Sequence, residues 1–218
     1  MNEEDVLEAY QDRKEVIEER LEEFEELSNA SEERKLQELA FVIFSSQTEA
    51  RKAWSASKEI YRDGLLLEGD GGKIEKVLES HEVSYSEEKA GYIREVRERL
   101  MQPTLENPSR ELKLSSVLEG KDLEDSRKWM VESLPGVGMK SASHFLRNTG
   151  TDRVAILSGH VVSLLYELGE TGETEPPAGR QEYLEMERCF LSLSDTLELE
   201  PGALDLVLWS MRTGEVFR

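Results

Sequence analysis

The sequence predicts an all-α protein, and three observations lead to that prediction. Apolar residues recur every three or four positions along most of the 218 residues, which is the spacing that buries one face of a helix. No segment alternates apolar and polar residues as a half-buried strand does. The stretch 134–140, Leu-Pro-Gly-Val-Gly-Met-Lys, leaves only a very short connection between two helical patterns, as in a helix-hairpin-helix. We expect one unit, residues 1–218, with two helical lobes formed by one interleaved chain and the hairpin at 127–148.

The chain begins with an amphipathic helical pattern over residues 3–27, whose outer face is heavily acidic. That face suits a solvated surface, and a partner helix in a coiled coil is the alternative. Asn29 and Glu32 resemble a capping pair that would start the next helix. Residues 36–44 are apolar enough to form a central helix of the core.

After a polar break, helical patterns continue to the C-terminus and are separated by glycine- and proline-containing turns. The glycine-containing cluster 69–72 follows a short apolar segment at 65–67, and Pro103 ends a helix. An apolar loop at 152–158 follows the hairpin, and a surface loop occupies 172–179. The predicted helices are 50–60, 74–78, 87–101, 123–133, 139–146, 159–168, 181–193 and 201–213.

The hairpin has the features of an anion site. Gly136 and Gly138 tolerate positive φ and allow another backbone to come close. The loop amides and the N-terminus of the following helix would then point at solvent, where they can bind a phosphate. An ordinary tight turn between helices is the alternative. Lys140 favours the anion site, because a turn alone does not require a cation beside it.

The charge balance opposes nucleic-acid binding over most of the surface. The chain has 27 Lys and Arg against 47 Asp and Glu, a formal net charge of −20, whereas affinity for a polyanion depends on cations that neutralise phosphates. Binding requires only one suitable face, however. Basic residues gather around the hairpin, namely Arg127, Lys128, Lys140, Arg147 and Arg153. Adaptation to high intracellular salt is a further hypothesis for the acidic excess.

The single cysteine, Cys189, excludes an internal disulfide and suits a reducing cytosol. No apolar run has transmembrane length, and the N-terminal stretch is too acidic for a signal peptide. We therefore expect a soluble cytoplasmic protein with no membrane partner.

Several motifs together resemble a known family. The hairpin with Lys140 and the following Val-Ala-Ile at 154–156 look like the helix-hairpin-helix superfamily of DNA glycosylases. Within that superfamily, other segments resemble the archaeal type of 8-oxoguanine DNA glycosylase/AP lyase. These segments are 41–47, 50–54, 89–93, 141–148 and 204–216. The likeness covers about residues 36–218 and implies a two-lobed glycosylase-like fold.

The resemblance implies a base-excision mechanism. Such enzymes flip a damaged base out of the duplex into a pocket between the two lobes. Lys140 would attack the deoxyribose C1′ as a neutral amine, expel the base and leave a Schiff base that permits strand cleavage. A lysine that does this needs a pKa lowered by burial. The alternative role for Lys140 is a cation that contacts phosphate.

The resemblance also implies the other site residues. The expected DNA contacts are Pro135, Gly136, Val137, Gly138, Ser141 and Arg147. The expected base-pocket residues are Gln47, Tyr85, Trp209 and Arg218. Trp209 could equally be a buried core residue. Arg218 stands where the family ends in a lysine that helps to recognise oxidised guanine.

The chain departs from the family at one catalytic position. Ser158 stands where the family has an aspartate that stabilises positive charge developing on the sugar. A serine can cap the following helix, but it carries no charge. Loss of such a carboxylate costs on the order of 10²–10⁴ in rate. Gly159 replaces a family arginine, and serines and glutamates flank Tyr85 in place of basic and amide side chains.

Three functions remain open at this stage. The first is a working 8-oxoguanine glycosylase or AP lyase, weakened or with a changed substrate. The second is a catalytically impaired relative that binds DNA lesions or structures, and the third is a helical protein-interaction module. The expected partner is double-stranded DNA with a damaged base or abasic site, bound by a monomer. We expect no cofactor and no iron–sulfur cluster, since the cysteines for one are missing; a cation held by hairpin carbonyls stays open.

Overall fold

A computed structural model of the chain describes residues 1–103 and 110–218, and all regular secondary structure in those ranges is helical. The predicted all-α fold is confirmed. None of the described helices is long and apolar enough to cross a bilayer. The helices are α1 Glu3–Ser28, α2 Glu32–Phe44, α3 Ala50–Arg62, α4 Leu65–Glu68, α5 Gly71–Ser80, α6 Ser86–Leu100, α7 Leu114–Leu118, α8 Leu123–Ser133, α9 Met139–Asn148, α10 Gly159–Leu168, α11 Arg180–Thr196 and α12 Pro201–Thr213.

The chain divides into two compact units. Residues 29–145 form one, which we call the middle unit, and residues 1–28 with 146–218 form the other, the terminal unit. The chain therefore starts in the terminal unit, builds the whole middle unit and then returns. Helix α9 begins in the middle unit and ends in the terminal unit.

The middle unit is organised around α2. Every residue of this helix from 36 to 44 is buried, because α3, α4, α6 and α7 all pack against it. The ring of Phe41 meets Trp54 and His144 edge-on, with centroid distances of 5.4 and 5.5 Å. Edge-to-face pairs of this kind add to the free energy of burial. The prediction of a central core helix at 36–44 is confirmed.

The terminal unit is organised around α12, whose residues 203–208 are all buried. Helices α1, α10 and α11 pack against it. Helix α1 buries one stripe and leaves its acidic residues exposed, as its amphipathic pattern predicts. The buried residues of α1 are Val6, Ile17, Phe24 and Leu27.

Residues 149–158 connect α9 to α10, and the sequence predicts that 152–158 pack against the core. Residues 154–157 are buried as predicted, whereas Asp152 and Arg153 are exposed. A buried loop requires partners for its backbone polar groups, and α11 provides them. Glu187 accepts a hydrogen bond from the backbone N–H of Ala155 at 3.0 Å, and the Tyr183 hydroxyl donates to the Ala155 carbonyl at 2.6 Å. These two side chains fix the backbone that leads into Ser158.

A buried ion pair lies beside this core. Arg147 donates to Asp205 at 2.6 Å and to Asn148 at 2.8 Å, and its guanidinium lies 4.6 Å from the centroid of the Phe24 ring. Burial raises the pKa of Asp205 to about 6, against the opposing effect of the Arg147 charge. The pair thus joins α9, α12 and α1 within the terminal unit.

The structure corrects the expected start of α2. The helix is capped by Ser31, whose hydroxyl accepts a hydrogen bond from the backbone N–H of Arg34 at 3.2 Å. Asn29 does not serve as the cap, because it lies two residues before Ser31, which holds the extended backbone of an N-cap.

Two further corrections concern short helices. Residues 65–68 form α4, and α5 already begins at Gly71 because the Asp70 carboxylate accepts a hydrogen bond from the Lys73 N–H at 2.9 Å. The glycines at 71 and 72 thus lie inside a helix that the sequence pattern began only at Ile74. Helix α7 at Leu114–Leu118 was not predicted, since one apolar turn of five residues is too short to show a period.

We predict that Asp205→Asn lowers the free energy of unfolding at neutral pH by about 3 kcal/mol, because it leaves the Arg147 charge buried without its carboxylate. Chemical denaturation measures this effect. Asp195→Asn is the matched control, since Asp195 pairs with Arg153 at 3.0 Å with both side chains more than half exposed. An exposed pair of this kind contributes less than about 1 kcal/mol. Equal losses in the two variants would contradict a structural role for the buried pair.

Candidate active site

The hairpin between α8 and α9 is a very short connection, as predicted. The backbone N–H of Leu134 donates to Met130 and closes α8, and that of Val137 donates to the Leu134 carbonyl at 3.3 Å. The N–H of Ala142 donates to the Gly138 carbonyl at 2.9 Å and opens α9. Five residues, 134–138, thus connect the two helices.

Gly136 makes this reversal sterically feasible. Its φ is +77°, in the left-handed region that residues with a Cβ disfavour. A Cβ added at this position would lie 2.5 Å from Cδ2 of Tyr92 on α6. The hairpin therefore passes directly over the Tyr92 ring. Gly138 has no such constraint, because a Cβ there would meet nothing within 4 Å.

The start of α9 presents free hydrogen-bond donors. Within the described ranges, the backbone amides of Gly138, Met139 and Lys140 have no acceptor. Gly136 and Gly138 are both exposed, so the approach to these amides is open. Unpaired amides at the positive end of a helix dipole form an anion site. The geometry therefore suits a phosphate.

Lys140 lies in the first turn of α9 with its side chain accessible to solvent. No carboxylate of the described chain forms an ion pair with it. Protein atoms crowd enough of its stem that burial lowers its pKa below the 10.5 of a free lysine. Exposed lysines without an ion pair also occur elsewhere in the described chain, for example Lys76 and Lys128, so what distinguishes Lys140 is its place beside the unpaired amides of α9 together with its lowered pKa. Its amine is also neutral more often than that of an ordinary surface lysine.

The other predicted DNA contacts differ in where the structure places them. Pro135 is half-buried, whereas the side chains of Val137 and Ser141 are buried. Val137 and Ser141 can therefore contact DNA mainly through their backbone atoms. Arg147 is only 4% exposed and its guanidinium is committed to Asp205. The structure thus gives Arg147 a structural role in place of the predicted DNA contact.

Two other basic residues that flank the hairpin in the sequence also have partners, each within its own unit. Arg127 is buried on α8 and donates to the Ser143 hydroxyl on α9 at 3.2 Å, which ties the two hairpin helices together. Arg153 forms the exposed pair with Asp195. Lys128, by contrast, is exposed on α8.

Ser158 is the N-cap of α10. Its hydroxyl accepts a hydrogen bond from the backbone N–H of Val161 at 3.4 Å, which fits the capping role that the sequence allows. Two residues further on, the exposed ring of His160 meets Trp209 edge-on at a centroid distance of 5.0 Å. Ser158, His160 and Trp209 thus lie along one part of the terminal unit.

The two predicted pocket residues of the terminal unit have different surroundings. Trp209 is half-buried, and its Nε1–H lacks an acceptor within residues 1–103 and 110–218. The Arg218 side chain is only 5% exposed, with its guanidinium 3.6 Å from Glu23 and 5.6 Å from the centroid of the Phe24 ring. The terminal arginine therefore packs against α1.

The two predicted pocket residues of the middle unit are both exposed and both strained. Gln47 has φ of 53° and Tyr85 has φ of 58°, and the Tyr85 residue is 59% exposed. Non-glycine residues adopt this conformation only where their surroundings enforce it, most often at functional sites. A hydrogen bond from the Ser84 N–H to the Thr48 hydroxyl, 3.1 Å long, brings the two turns together.

The sequence reasoning missed Lys89, which is 4% exposed and supports these turns. Its only signal in the sequence was a lysine next to Ala90 in the apolar stripe of a helix.

In the ranges that the structure describes, no group of three or more His, Cys, Asp or Glu is placed to hold a metal ion. The cation at the hairpin carbonyls stays a prediction.

Comparison with known proteins gives consistent matches over nearly the whole chain. Residues 17–199 match the family Ogg-HhH, described as 8-oxoguanine DNA glycosylase. An 8-oxoguanine DNA glycosylase/AP lyase of Methanocaldococcus jannaschii is 31% identical over 94% of this chain and 93% of its own length. A protein of the same description from Thermotoga maritima is 32% identical over 94% of this chain and 93% of its own length.

Two solved structures are similar throughout. The Methanocaldococcus jannaschii 8-oxoguanine glycosylase/lyase in complex with a 15mer DNA containing 8-oxoguanine superposes with a TM-score of 0.87, at 29% identity, covering 99% of both chains. The 8-oxoguanine DNA glycosylase of Thermotoga maritima gives a TM-score of 0.87 at 28% identity, covering 99% of this chain and 98% of that one.

We predict that Gly136→Ala lowers the free energy of unfolding by about 2–4 kcal/mol, since the new Cβ needs a left-handed backbone and overlaps the Tyr92 ring. Gly138→Ala, two residues away in open space, should change it by less than about 1 kcal/mol. Thermal or urea unfolding of the two variants measures the difference. Comparable stability in both would mean that Tyr92 does not limit the hairpin.

Proposed function

The chain belongs to the 8-oxoguanine DNA glycosylase family, and from that premise we propose that it is a base-excision-repair DNA glycosylase/AP lyase. Its proposed substrates are 8-oxoguanine and abasic sites in double-stranded DNA. The single observation that carries the proposal is the solvent-accessible amine of Lys140 in the first turn of α9. Its pKa is lowered, it has no counter-ion in the described ranges, and it lies beside backbone amides that have no acceptor there.

Lys140 is the proposed nucleophile. Its neutral Nζ forms a bond to C1′ of the sugar, while the bond from C1′ to the damaged base breaks and the base leaves with the electron pair. Nζ then gives up one proton, and its lone pair opens the sugar ring by breaking the bond from C1′ to O4′; O4′ takes up a proton, and the product is a protonated Schiff base. Loss of a C2′ proton then expels the 3′-phosphate by elimination, which cleaves the strand. An abasic sugar already carries an aldehyde, so it enters this sequence at the Schiff base.

The hairpin amides are the proposed phosphate site. Backbone contacts of this kind fix a protein on the duplex without reading its sequence. They also explain how a chain with a net charge of −20 can hold a polyanion, since amide dipoles attract phosphate without adding to the net charge. Exposed Lys128 adds a positive charge on α8. We expect the affinity to fall as salt rises.

The proposed pocket residues supply stacking surfaces and a hydrogen-bond donor. Aromatic faces hold an everted base by stacking. The Nε1–H of Trp209 has no acceptor in the described ranges but is itself buried, so it can donate to a base oxygen only after the indole moves. Because the Arg218 side chain packs on Phe24, its role in recognising a base needs a movement of the guanidinium. We further propose that the protein works as a monomer in the cytoplasm.

One observation favours a second candidate function, a DNA-lesion binding protein with impaired catalysis. The hydroxyl of Ser158 is engaged as a helix cap and carries no charge that could stabilise a cationic sugar. The glycosylase step depends on that stabilisation more than the lyase step does, because an abasic aldehyde needs no base expelled. The two candidate functions can therefore be distinguished by which substrate, 8-oxoguanine or an abasic site, the protein processes.

We predict that the protein forms a covalent adduct with an abasic-site duplex in the presence of borohydride, which reduces the Schiff base to a stable amine. Lys140→Gln should abolish the adduct, a loss of at least about 100-fold, because the amide is not a nucleophile. Gel electrophoresis of the trapped complex measures the yield.

Lys76→Gln is the matched control, since it removes an exposed lysine of α5 for which no DNA contact is proposed, and it should retain the adduct within about threefold. Duplex binding without any adduct would favour the impaired lesion-binding protein. An adduct that persists in Lys140→Gln would move the nucleophile to another amine.

We predict that Ser158→Asp accelerates excision of 8-oxoguanine by at least about tenfold, by restoring a carboxylate near the developing positive charge. Aspartate caps helices as well as serine does, so α10 should stay intact. Single-turnover release of the base measures the rate.

Ser158→Asn is the control for this gain, because asparagine also caps the helix but carries no charge. If the rate of base release rises in both variants, the helix cap and not the charge causes the effect. If the rate rises in neither, Ser158 does not limit catalysis.

A further inference from the structure

Two turns of the middle unit meet at the buried amine of Lys89. Its Nζ donates to the carbonyl oxygens of Phe44 and Ser46 at 2.8 and 2.6 Å, and to the Thr48 hydroxyl at 3.1 Å. An ammonium has three donors, and all three are used. The end of α2 and the turn that follows it, residues 44–48, are thereby attached to α6.

Thr48 extends this network to a second turn. Its hydroxyl accepts from Lys89 and from the backbone N–H of Ser84, each at 3.1 Å, and donates to the Ser46 carbonyl at 3.4 Å. A hydroxyl has one donor and two acceptor positions, so its capacity is filled. One side chain thus holds the turns 44–48 and 82–85 together.

The two turns carry unusual backbone strain. Five non-glycine residues of the described chain have positive φ, and three of them lie in these turns: Gln47, Glu82 and Tyr85. Such conformations persist only where the surroundings determine them.

The end of α5 accounts for the positive φ of Glu82 by itself, because the Val83 N–H donates to the Leu78 carbonyl at 2.9 Å, as at a helix end with a left-handed residue. Glu82 also pairs with Lys52, but Lys52 lies on α3 and the pair is exposed. The hydrogen bonds of Thr48 with Ser84 and with Lys89 join the two turns directly.

We propose that Lys89 and Thr48 are positioning residues for lesion recognition, which hold Gln47 and Tyr85 at a fixed separation where both can probe the same site in a DNA duplex. The inference rests on the proposed function, because it assigns a duplex as the ligand. Phosphate contacts at the hairpin carry no information about the base. Discrimination of a weakened base pair must therefore come from side chains elsewhere, and these two are exposed on prearranged backbone.

The chemistry of Lys89 supports this role. Burial lowers the pKa of Lys89 to about 8, so at neutral pH the side chain is mostly protonated and can donate all three hydrogen bonds. Hydrogen bonds from a charged donor are stronger than neutral ones. Preorganised groups bind their ligand without the entropic cost of ordering two loops.

The test compares Thr48→Val with Thr48→Ser. Valine has the shape of threonine but removes the hydroxyl that joins the turns, whereas serine keeps it. Fluorescence anisotropy at one fixed ionic strength gives Kd for an intact duplex and for the same duplex with one tetrahydrofuran abasic site, which has no aldehyde and so cannot form the Schiff base with Lys140. We expect Thr48→Val to reduce the preference for the abasic duplex by about tenfold while affinity for the intact duplex changes less than about twofold.

Two variants serve as controls. Thr48→Ser should restore the preference to within about twofold of the unmodified chain. Glu82→Gln removes the exposed ion pair between the turn 82–85 and Lys52 of α3, and it should leave the preference within about twofold. Lys89→Met should act in the same direction as Thr48→Val, with thermal unfolding as a check on its folding. If Lys89→Met does not fold, the two Thr48 variants decide.

Three outcomes would overturn the inference: an unchanged preference in Thr48→Val, equal loss of affinity for both duplexes, or no preference in the unmodified chain. The borohydride adduct of the unmodified chain reports the proposed function separately. If the unmodified chain forms the adduct but Thr48→Val leaves the preference unchanged, the positioning role of Lys89 and Thr48 is rejected and the proposed function stands. Absence of any adduct removes the catalytic proposal, while the preference still decides whether Thr48 and Lys89 position the turns.

Discussion

The close passage of Gly136 over the Tyr92 ring is the constraint on which the candidate active site depends. A backbone at φ of +77° with 2.5 Å between a hypothetical Cβ and the ring allows only glycine. This turn sets the direction in which α9 leaves the hairpin, and hence where its free amides and Lys140 point. Because the hairpin, α6 and α8 all belong to the middle unit, the geometry of the proposed nucleophile is determined within one compact body.

The distribution of cations explains how an acidic protein can offer a phosphate site. Arg127 and Arg147 are buried, and they stabilise the hairpin and the core of the terminal unit respectively. Lys89 is buried as well, where it supports two turns. Lys140 is exposed beside unpaired amides, so attraction for a phosphate is local and backbone-derived. A few well-placed donors can therefore act against a large negative net charge.

Ser158 shows how one position can satisfy folding and yet weaken chemistry. As an N-cap it serves α10 as well as an aspartate would, so the stability of α10 is about the same with serine or aspartate at position 158. The catalytic requirement is different, because only a charge stabilises the developing cation on the sugar. In the proposed mechanism, Lys140 therefore serves the lyase step, whereas Ser158 supplies no charge for the expulsion of a base.

The sequence by itself determined the helical class, most helix positions, the hairpin and the family, because these depend on local periodicity, on glycine and proline, and on contiguous motifs. It also singled out Lys140 and Ser158. Only the tertiary structure decided which basic residues are available. Arg147 pairs with Asp205, 58 residues away, and Lys89 reaches the Phe44 carbonyl across 45 residues. In the sequence these side chains resemble any surface cation, since burial and partners arise from long-range packing that no local pattern records.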